Sequence, residues 1–278
     1  MMRNRCCATT ALRTRNRPPG VLVALGLVAG VFLVLPLVGL LWRAPWGQLT
    51  DTLTDAAVLE ALRVSLIASL GALLVCLVLG VPLAWVLARV EFPGRSIVRG
   101  LVLVPMVLPP VVGGVALLLA FGPRGLLGGS LDAVGVTIPF TTVATVVAAT
   151  FVSLPFLVLG VEAAFAGVDA DIEDVASTLG GSSWHVFWTV TLPLVRPALV
   201  SGATLAWARS LGEFGATITF AGSIAGVTQT MPLAVYQILP TDPDGALTLS
   251  LLLLTISATV IVALRSAWLT PLLSRQAA

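Results

Sequence analysis

The sequence predicts an all-α, polytopic integral membrane protein with six transmembrane helices. The mean hydropathy of the chain is +1.05, and only 10% of its residues are charged, against about 25% in typical soluble domains. Six apolar stretches are each long enough to cross a bilayer, which takes about 20 residues. A soluble chain of this length could not bury so much apolar surface in one core.

The predicted spans cover most of the chain. They lie at residues 21–41, 62–88, 97–121, 141–161, 197–220 and 246–269. Together they form a single predicted transmembrane domain over 21–269, between a basic, disordered leader (1–20) and a short tail (270–278). The first span is longer than the apolar core of a secretory signal, so we expect it to remain in the protein as a helix.

The placement of arginines predicts the orientation of these spans. Five arginines precede the first span, and Arg89, Arg95 and Arg99 flank the connection between the second and the third. The connections on the other side hold few arginines. Because positively charged connections stay in the cytoplasm, both termini and the connection 162–196 are predicted to be cytoplasmic.

The connection 162–196 has the pattern of two short helices about a glycine turn. Asp171 is a candidate N-cap, and the residues after it recur at the spacing of one apolar helix face: Ile172, Val175, Ala176 and Leu179. Gly180 and Gly181 favour the end of this helix, and Ser183 is a candidate cap for the second helix. The connection is therefore predicted to be folded rather than a flexible linker.

Two interpretations of this folded connection remain open. In one, the first helix docks onto a cytoplasmic partner. In the other, the segment is an amphipathic hairpin on the bilayer surface, where Trp184 and Trp188 act as interfacial anchors. The two are compatible, with the first helix facing the partner and the second facing the membrane.

One spacing in this connection resembles the signature of binding-protein-dependent ABC permeases, which is Glu-Ala-Ala, three residues, Gly, nine residues, Ile, one residue and Leu-Pro. The matching residues here are Asp174, Val175, Ala176, Gly180, Val190, Leu192 and Pro193, with Leu179 before the glycine. Asp174, Val175 and Val190 depart from the signature but keep its charge or apolar character. The literal tripeptide at 162–164 has no glycine or Leu-Pro at the required distances.

A second resemblance concerns the segments 211–222 and 228–236, which are similar to molybdate permease subunits. Sulfate permeases share the Gly-Glu-Phe-Gly part of the first segment and then diverge. The run 108–112 fits the same group. The resemblance implies an ABC importer type I permease fold, a homodimer of this non-catalytic chain in the bacterial inner membrane, two cytoplasmic ABC ATPase subunits, and an extracytoplasmic molybdate-binding protein. Sulfate, thiosulfate or tungstate is the alternative cargo.

Two further features lie inside the predicted spans. Pro105, Pro109 and Pro110 predict a helix break in the third span, because proline removes a backbone donor; the break lines a pathway or is a packing kink. Arg209 and Glu213 lie four residues apart on one face of the fifth span. They are predicted either to pair with each other as a buried ion pair or to belong to the translocation pathway or its gate.

Other classes of function have less support in the sequence. There is no Gly-rich Lys-Ser/Thr phosphate loop, so ATP is expected to bind another chain. No cluster predicts a metal or another cofactor, Cys6, Cys7 and Cys76 form no recognisable site, and a net charge of +2 does not suggest nucleic acid. A secondary transporter would be expected to show an internal repeat, which is not visible here. A membrane anchor without transport would not need the patterned connection.

Overall fold

The structure, a computed structural model, describes residues 20–47 and 54–274. These residues form helices and their connections, without a strand among them, which confirms the all-α class. Residues 1–19 of the predicted leader, which include Cys6 and Cys7, and the last four residues of the predicted tail lie outside the described residues.

The chain divides into two compact units, Met1–Ala44 and Pro45–Ala278. The first contains helix α1 (Gly20–Trp42), whose bounds agree with the predicted span 21–41 to within one residue. None of its side chains is buried, as expected for an apolar helix that faces lipid or a partner. That α1 and the other spans form one transmembrane domain stays a prediction.

The second unit contains the other described helices. They are α2 (Ala56–Arg89), α3 (Arg95–Val107), α4 (Pro110–Phe121), α5 (Gly128–Ala133), α6 (Thr142–Ala166), α7 (Ala170–Thr178), α8 (Ser183–Leu211), α9 (Gly215–Phe220), α10 (Met231–Ile238) and α11 (Pro243–Ser274). Among the described residues, α1, α2, α6, α8 and α11 are long and apolar enough to cross a membrane, and the bent pair α3 and α4 makes six if it counts as one span.

The predicted third span, 97–121, is broken rather than continuous. Helices α3 and α4 meet at an angle of 120°. Leu108 and Pro109 between them are extended, with ψ of 134° and 133°, because a residue that precedes a proline avoids the helical region. Pro110 then begins α4, whereas Pro105 lies inside α3 without ending it.

The predicted fifth span, 197–220, is displaced towards the N-terminus. Helix α8 begins at Ser183 and ends at Leu211, and residues 215–220 form the separate helix α9. Pro193 does not interrupt α8, because a π-helical turn, Phe187–Thr191, precedes it, and the amide of Leu192 bonds five residues back to the carbonyl of Phe187. Such a widened turn is a common accommodation of helix irregularities.

The predicted second and fourth spans, and the connection after the fourth, also change their bounds. Helix α6 continues five residues beyond 161, so that only residues 167–182 connect α6 to α8. Helix α2 begins six residues before the predicted 62, and its π-helical turn, Cys76–Gly80, precedes Pro82. Helix α6 extends past Glu162, whose carboxylate pairs with Arg99 of α3, and α2 begins after Asp55, whose side chain accepts from the amide of Ala57. A pattern of apolar residues reveals neither contact.

Helix α6 lies at the centre of the second unit and contacts α2, α3, α4, α8 and α9. Near its N-terminus it packs on α4 and α9, around Leu117 and Phe220. Near its C-terminus it packs on α2 and α8, where Leu87, Phe165 and Val195 are buried. The C-terminal end of α6 therefore brings α2 and α8 together at the point where the connection to α7 begins.

Candidate functional site

Helix α7 contains Asp174, Val175 and Ala176 of the signature spacing, and its N-terminus is capped by Asp169. A side-chain oxygen of Asp169 accepts a hydrogen bond from the amide of Asp171 at 3.1 Å, so the cap lies two residues before the predicted Asp171. Asp171 and Glu173 occupy the first turn, where the helix dipole favours negative charge. The next helix is likewise capped by Ser182 and not by Ser183.

The C-terminus of α7 ends in a Schellman motif. Gly180 has φ of +91°, and its amide donates to the carbonyl of Ser177 at 3.0 Å. The amide of Gly181 donates to the carbonyl of Ala176 at 3.3 Å. Because an L side chain is strained at this φ, the glycine sets the direction in which the chain leaves α7.

An apolar face of α7 remains exposed in the described residues. Val175 is 60% and Leu179 is 84% exposed, with Ile172 beside them, and Asp174 is exposed on the same helix. A depression of about 600 Å³ adjoins this face, lined by Ala176, Leu179, Gly180, Gly181, Ser182, His185, Thr189 and Val190. Contiguous exposed apolar side chains of this kind are typical of a docking surface.

The structure thus gathers part of the signature and separates the rest. Ala176, Leu179, Gly180 and Val190 line one depression, and Asp174 and Val175 lie on the same helix. Leu192 and Pro193 lie farther along α8, and Leu192 lines a different, apolar groove. We call the exposed face of α7 and the adjoining depression the α7 surface.

The second groove contains the predicted interfacial tryptophans. Trp184 and Trp188 are exposed, Trp184 to 70%, and they line an apolar groove of about 520 Å³ together with Trp85, Phe187 and Leu192. Indole rings are enriched at the boundary between membrane and water. The interpretation of the second helix as a membrane-facing element therefore stays open beside a docking role for α7.

Replacing Gly180 with valine should disrupt the α7 surface, because a β-branched residue at φ of +91° is strained. No atom lies within 4 Å of the added Cβ, so the effect is conformational rather than steric. We expect Gly180→Val to insert normally but to lose any partner that docks on the α7 surface, whereas Gly180→Asn, which tolerates this conformation, retains it. Co-purification of both variants at the wild-type level would contradict the assigned role of this turn.

A polar network that the sequence analysis missed holds the end of α2. Arg95 Nε donates to the carbonyl of Leu87 at 2.7 Å, and Arg99 Nη2 donates to the same carbonyl at 3.3 Å. Arg99 also forms an ion pair with Glu162, a nearly buried carboxylate near the end of α6. Because the last carbonyls of a helix lack intrahelical partners, these arginines satisfy α2 and connect it to α6.

A second part of this network reaches α7. Arg89 Nη2 lies 3.1 Å from a carboxylate oxygen of Glu173 and 3.3 Å from the carbonyl oxygen of Val168. The hydroxyl of Thr191, in the π turn of α8, donates to Glu173. One carboxylate on α7 is therefore bonded to both α2 and α8.

Sequence reasoning used these residues for other purposes. Arg89, Arg95 and Arg99 entered only as indicators of orientation, and Glu162 only as part of a rejected tripeptide. The available signal was an acid at the end of a long apolar helix, where a partner is required. The identity of that partner could not be inferred, because Arg99 and Glu162 are 63 residues apart.

Arg209 and Glu213 lie together at the junction of α8 and α9. Arg209 Nη1 is 2.7 Å from Glu213 Oε2, and Glu213 Oε1 accepts a hydrogen bond from the amide of Ala216 at 2.8 Å. The side chain of Glu213 is 2% exposed and that of Arg209 is 28% exposed. Glu213 therefore both pairs with Arg209 and accepts a hydrogen bond from an amide in the first turn of α9.

The helix break at Pro109 and Pro110 is packed against this junction. A Cβ added at Gly114 in α4 would lie 2.7 Å from the carbonyl oxygen of Ala216, and one added at Gly215 would lie 2.7 Å from Cβ of Pro110. Glycines thus permit α4 and α9 to approach closely. The break and the charge pair belong to one packed region.

These features define a class of protein: an all-helical, multi-pass membrane protein. Between two of its long helices, α6 and α8, lies the short capped helix α7, which has an exposed apolar face. The family model described as "Binding-protein-dependent transport system inner membrane component" matches residues 80–275. The chain therefore belongs to this family of transporter permeases.

Individual relatives and a solved structure agree with this membership. The molybdenum transport system permease protein ModB of Mycobacterium tuberculosis is 50% identical over 86% of this chain and 91% of its own length. The protein of the same name from Escherichia coli is 42% identical over 76% and 92%, and the E. coli sulfate transport system permease protein CysT is 35% identical over 81% and 84%. A chain of a bacterial ABC transporter that imports alginate has the same fold, with a TM-score of 0.70, 16% identity and coverage of 89% and 94%.

Proposed function

We propose that this chain is the membrane-spanning permease subunit of an ATP-driven importer that carries molybdate into the cytoplasm. The observation that carries the proposal is the ranking of its relatives: those named for molybdenum transport are 41–50% identical, and those named for sulfate transport are 34–35% identical. The segments 211–222 and 228–236 support the same substrate. The chain itself is non-catalytic and binds no cofactor.

The α7 surface supports a cytoplasmic ATPase as the partner. Val175 and Leu179 are apolar side chains exposed on a polar, capped helix, and the Schellman turn holds them in a fixed position. In a permease homodimer, each of two ATPase subunits would bind one α7 surface. An extracytoplasmic binding protein would deliver the oxyanion. Closure of the ATPases around ATP would open the passage outward, and hydrolysis would open it inward.

This arrangement requires α7 to lie in the cytoplasm, which labelling can test. In a chain without Cys6, Cys7 and Cys76, we expect an impermeant thiol reagent to label Thr241→Cys in intact cells. Ser183→Cys should react only after the cells are permeabilised. Both positions are exposed, so accessibility from each side decides the result. The opposite pattern would place the α7 surface outside the cell and exclude a cytoplasmic ATPase from it.

Uptake measurements test the substrate. A strain that lacks its own molybdate permease would produce this chain with the ATPase and binding protein of its source organism. We expect uptake of radioactive molybdate that excess tungstate inhibits and excess sulfate does not. Sulfate uptake without molybdate uptake would instead identify a sulfate permease of the same architecture.

The second candidate class, a secondary transporter, predicts a different dependence. Such a protein would move its substrate without the ATPase subunit, driven by an ion gradient. Uptake that persists when the ATPase is omitted, and that stops when the ion gradient is dissipated, would favour this class. The exposed apolar face of α7 favours the ATP-driven importer, because a secondary transporter has no need of a cytoplasmic docking surface.

A further inference from the structure

Two helices are bonded to α7 through the single carboxylate of Glu173. Arg89, the last residue of α2, lies 3.1 Å from Glu173 Oε2. Thr191 of α8 donates its hydroxyl hydrogen to Glu173 Oε1. Arg89 also donates to the carbonyl of Val168, at 3.3 Å, in the segment between α6 and α7. We call Arg89, Glu173 and Thr191 the α7 linkage.

The α7 linkage lies on the inner side of the helix that carries the α7 surface. The side chains of Arg89 and Glu173 are only 21% and 23% exposed, and Thr191 is buried. Val175 and Leu179 on the same helix are exposed. One helix therefore presents an apolar face outward and a bonded carboxylate inward, which suits an element that receives force on one side and passes it on at the other.

The bond to α8 ends at the π turn of that helix. Thr191 is the last residue of the π turn Phe187–Thr191, and such turns are frequent at functional sites and at helix bends. Arg89 Nε is buried and has no hydrogen-bond partner among the described residues. The guanidinium thus retains a spare donor, which a second arrangement of these helices could use.

We propose that Glu173 is a positioning residue that transmits displacement of α7 to α2 and α8. This proposal rests on the proposed function, since it assumes that an ATPase moves α7. The ion pair with Arg89 carries the displacement to the end of α2, and the bond to Thr191 carries it to the π turn of α8. Loss of the ion pair then uncouples ATP hydrolysis from transport, while the ATPase still docks on the outer face of α7.

The test compares Glu173→Gln with the wild-type complex in liposomes, together with its ATPase and binding protein. Glutamine keeps an oxygen that can accept from Thr191 but removes the charge that pairs with Arg89. We expect normal co-purification with the ATPase and an unchanged basal rate of ATP hydrolysis. Stimulation of hydrolysis by the loaded binding protein, and molybdate carried per ATP, should each fall about tenfold, a size typical of coupling between sites.

The matched control is Asp171→Asn. It makes the same change of charge on the same helix, at an exposed side chain outside the α7 linkage, and should behave as the wild type does. Exchanging the partners, with Glu173→Arg and Arg89→Glu together, should recover part of the coupling that Glu173→Arg alone removes.

Three results would overturn the proposal. The first is stimulation of ATP hydrolysis in Glu173→Gln at the wild-type level. The second is loss of ATPase co-purification in that variant, which would indicate a purely structural role. The third is a double variant, Glu173→Arg with Arg89→Glu, that recovers no coupling. Failure of the proposed function has a different signature. If the ATPase of the wild-type complex responds to the binding protein but the complex carries no molybdate, the proposed substrate is refuted. The stimulation of ATP hydrolysis in Glu173→Gln would still decide the role of Glu173.

Discussion

Gly114→Val is expected to prevent most of the permease from folding. A Cβ at this position would lie 2.7 Å from the carbonyl oxygen of Ala216 and 2.7 Å from Cβ of Thr219. Because one of these atoms belongs to the backbone of α9, the neighbour cannot rotate away and α4 must separate from α9. Overpacking of this kind costs up to about 3 kcal/mol, and more where the backbone must shift.

The matched control for Gly114→Val is Gly160→Val. Gly160 also lies inside an apolar helix, α6, but no atom would lie within 4 Å of its added Cβ. The measurement is the amount of monodisperse permease after extraction of equal membranes into detergent. We expect Gly160→Val to approach the wild type and Gly114→Val to yield little. Similar yields for the two variants would show that α4 and α9 do not pack as described.

Arg209→Leu is expected to have the second large effect, because it leaves the carboxylate of Glu213 buried without its counter-charge. Breaking a buried pair by removing one partner typically costs about 3–5 kcal/mol. Glu213→Gln should be milder: Arg209 is 28% exposed and can gain water, and the glutamine oxygen can still accept from the amide of Ala216. The double variant, Arg209→Leu with Glu213→Gln, should recover much of the yield of folded permease that Arg209→Leu loses.

Measuring yield and uptake separately distinguishes the two roles that the sequence left open. A double variant that folds and carries molybdate would assign Arg209 and Glu213 to structure alone. A double variant that folds but fails to carry the anion would assign Arg209 to the pathway or its gate. Additive losses of yield, with no recovery in the double variant, would mean that the 2.7 Å contact contributes nothing to stability.

Local chemistry made several features predictable from the sequence. Helix α1 was predicted to within one residue, because a long apolar stretch flanked by polar residues has one interpretation. The turn at Gly180 followed from a glycine pair after an amphipathic pattern, and φ at Gly180 is +91°. The proline run indicated a break, although the 120° angle between α3 and α4 depends on two consecutive extended residues, Leu108 and Pro109.

Other features depend on contacts between distant residues. Helix α8 continues through Pro193 because a π turn precedes the proline, and a pattern with a period of 3.6 residues does not indicate such a turn. The pairs Arg99 with Glu162 and Arg89 with Glu173 join residues 63 and 84 positions apart. Composition identifies such charges as requiring partners, but the packing of α3 against α6 and the position of α7 beside the last residue of α2 select which partners they find.

Reconstitution of purified components tests the central claim most directly. Liposomes would contain this chain with its ATPase, oriented so that the ATPase lies inside the vesicles. ATP would be enclosed in the vesicles, and the molybdate-binding protein would be added outside. We predict that molybdate accumulates only when the permease, ATPase, binding protein and hydrolysable ATP are all present. Accumulation by this chain alone, driven by an ion gradient and indifferent to ATP, would contradict its assignment as the permease subunit of an ATP-driven importer.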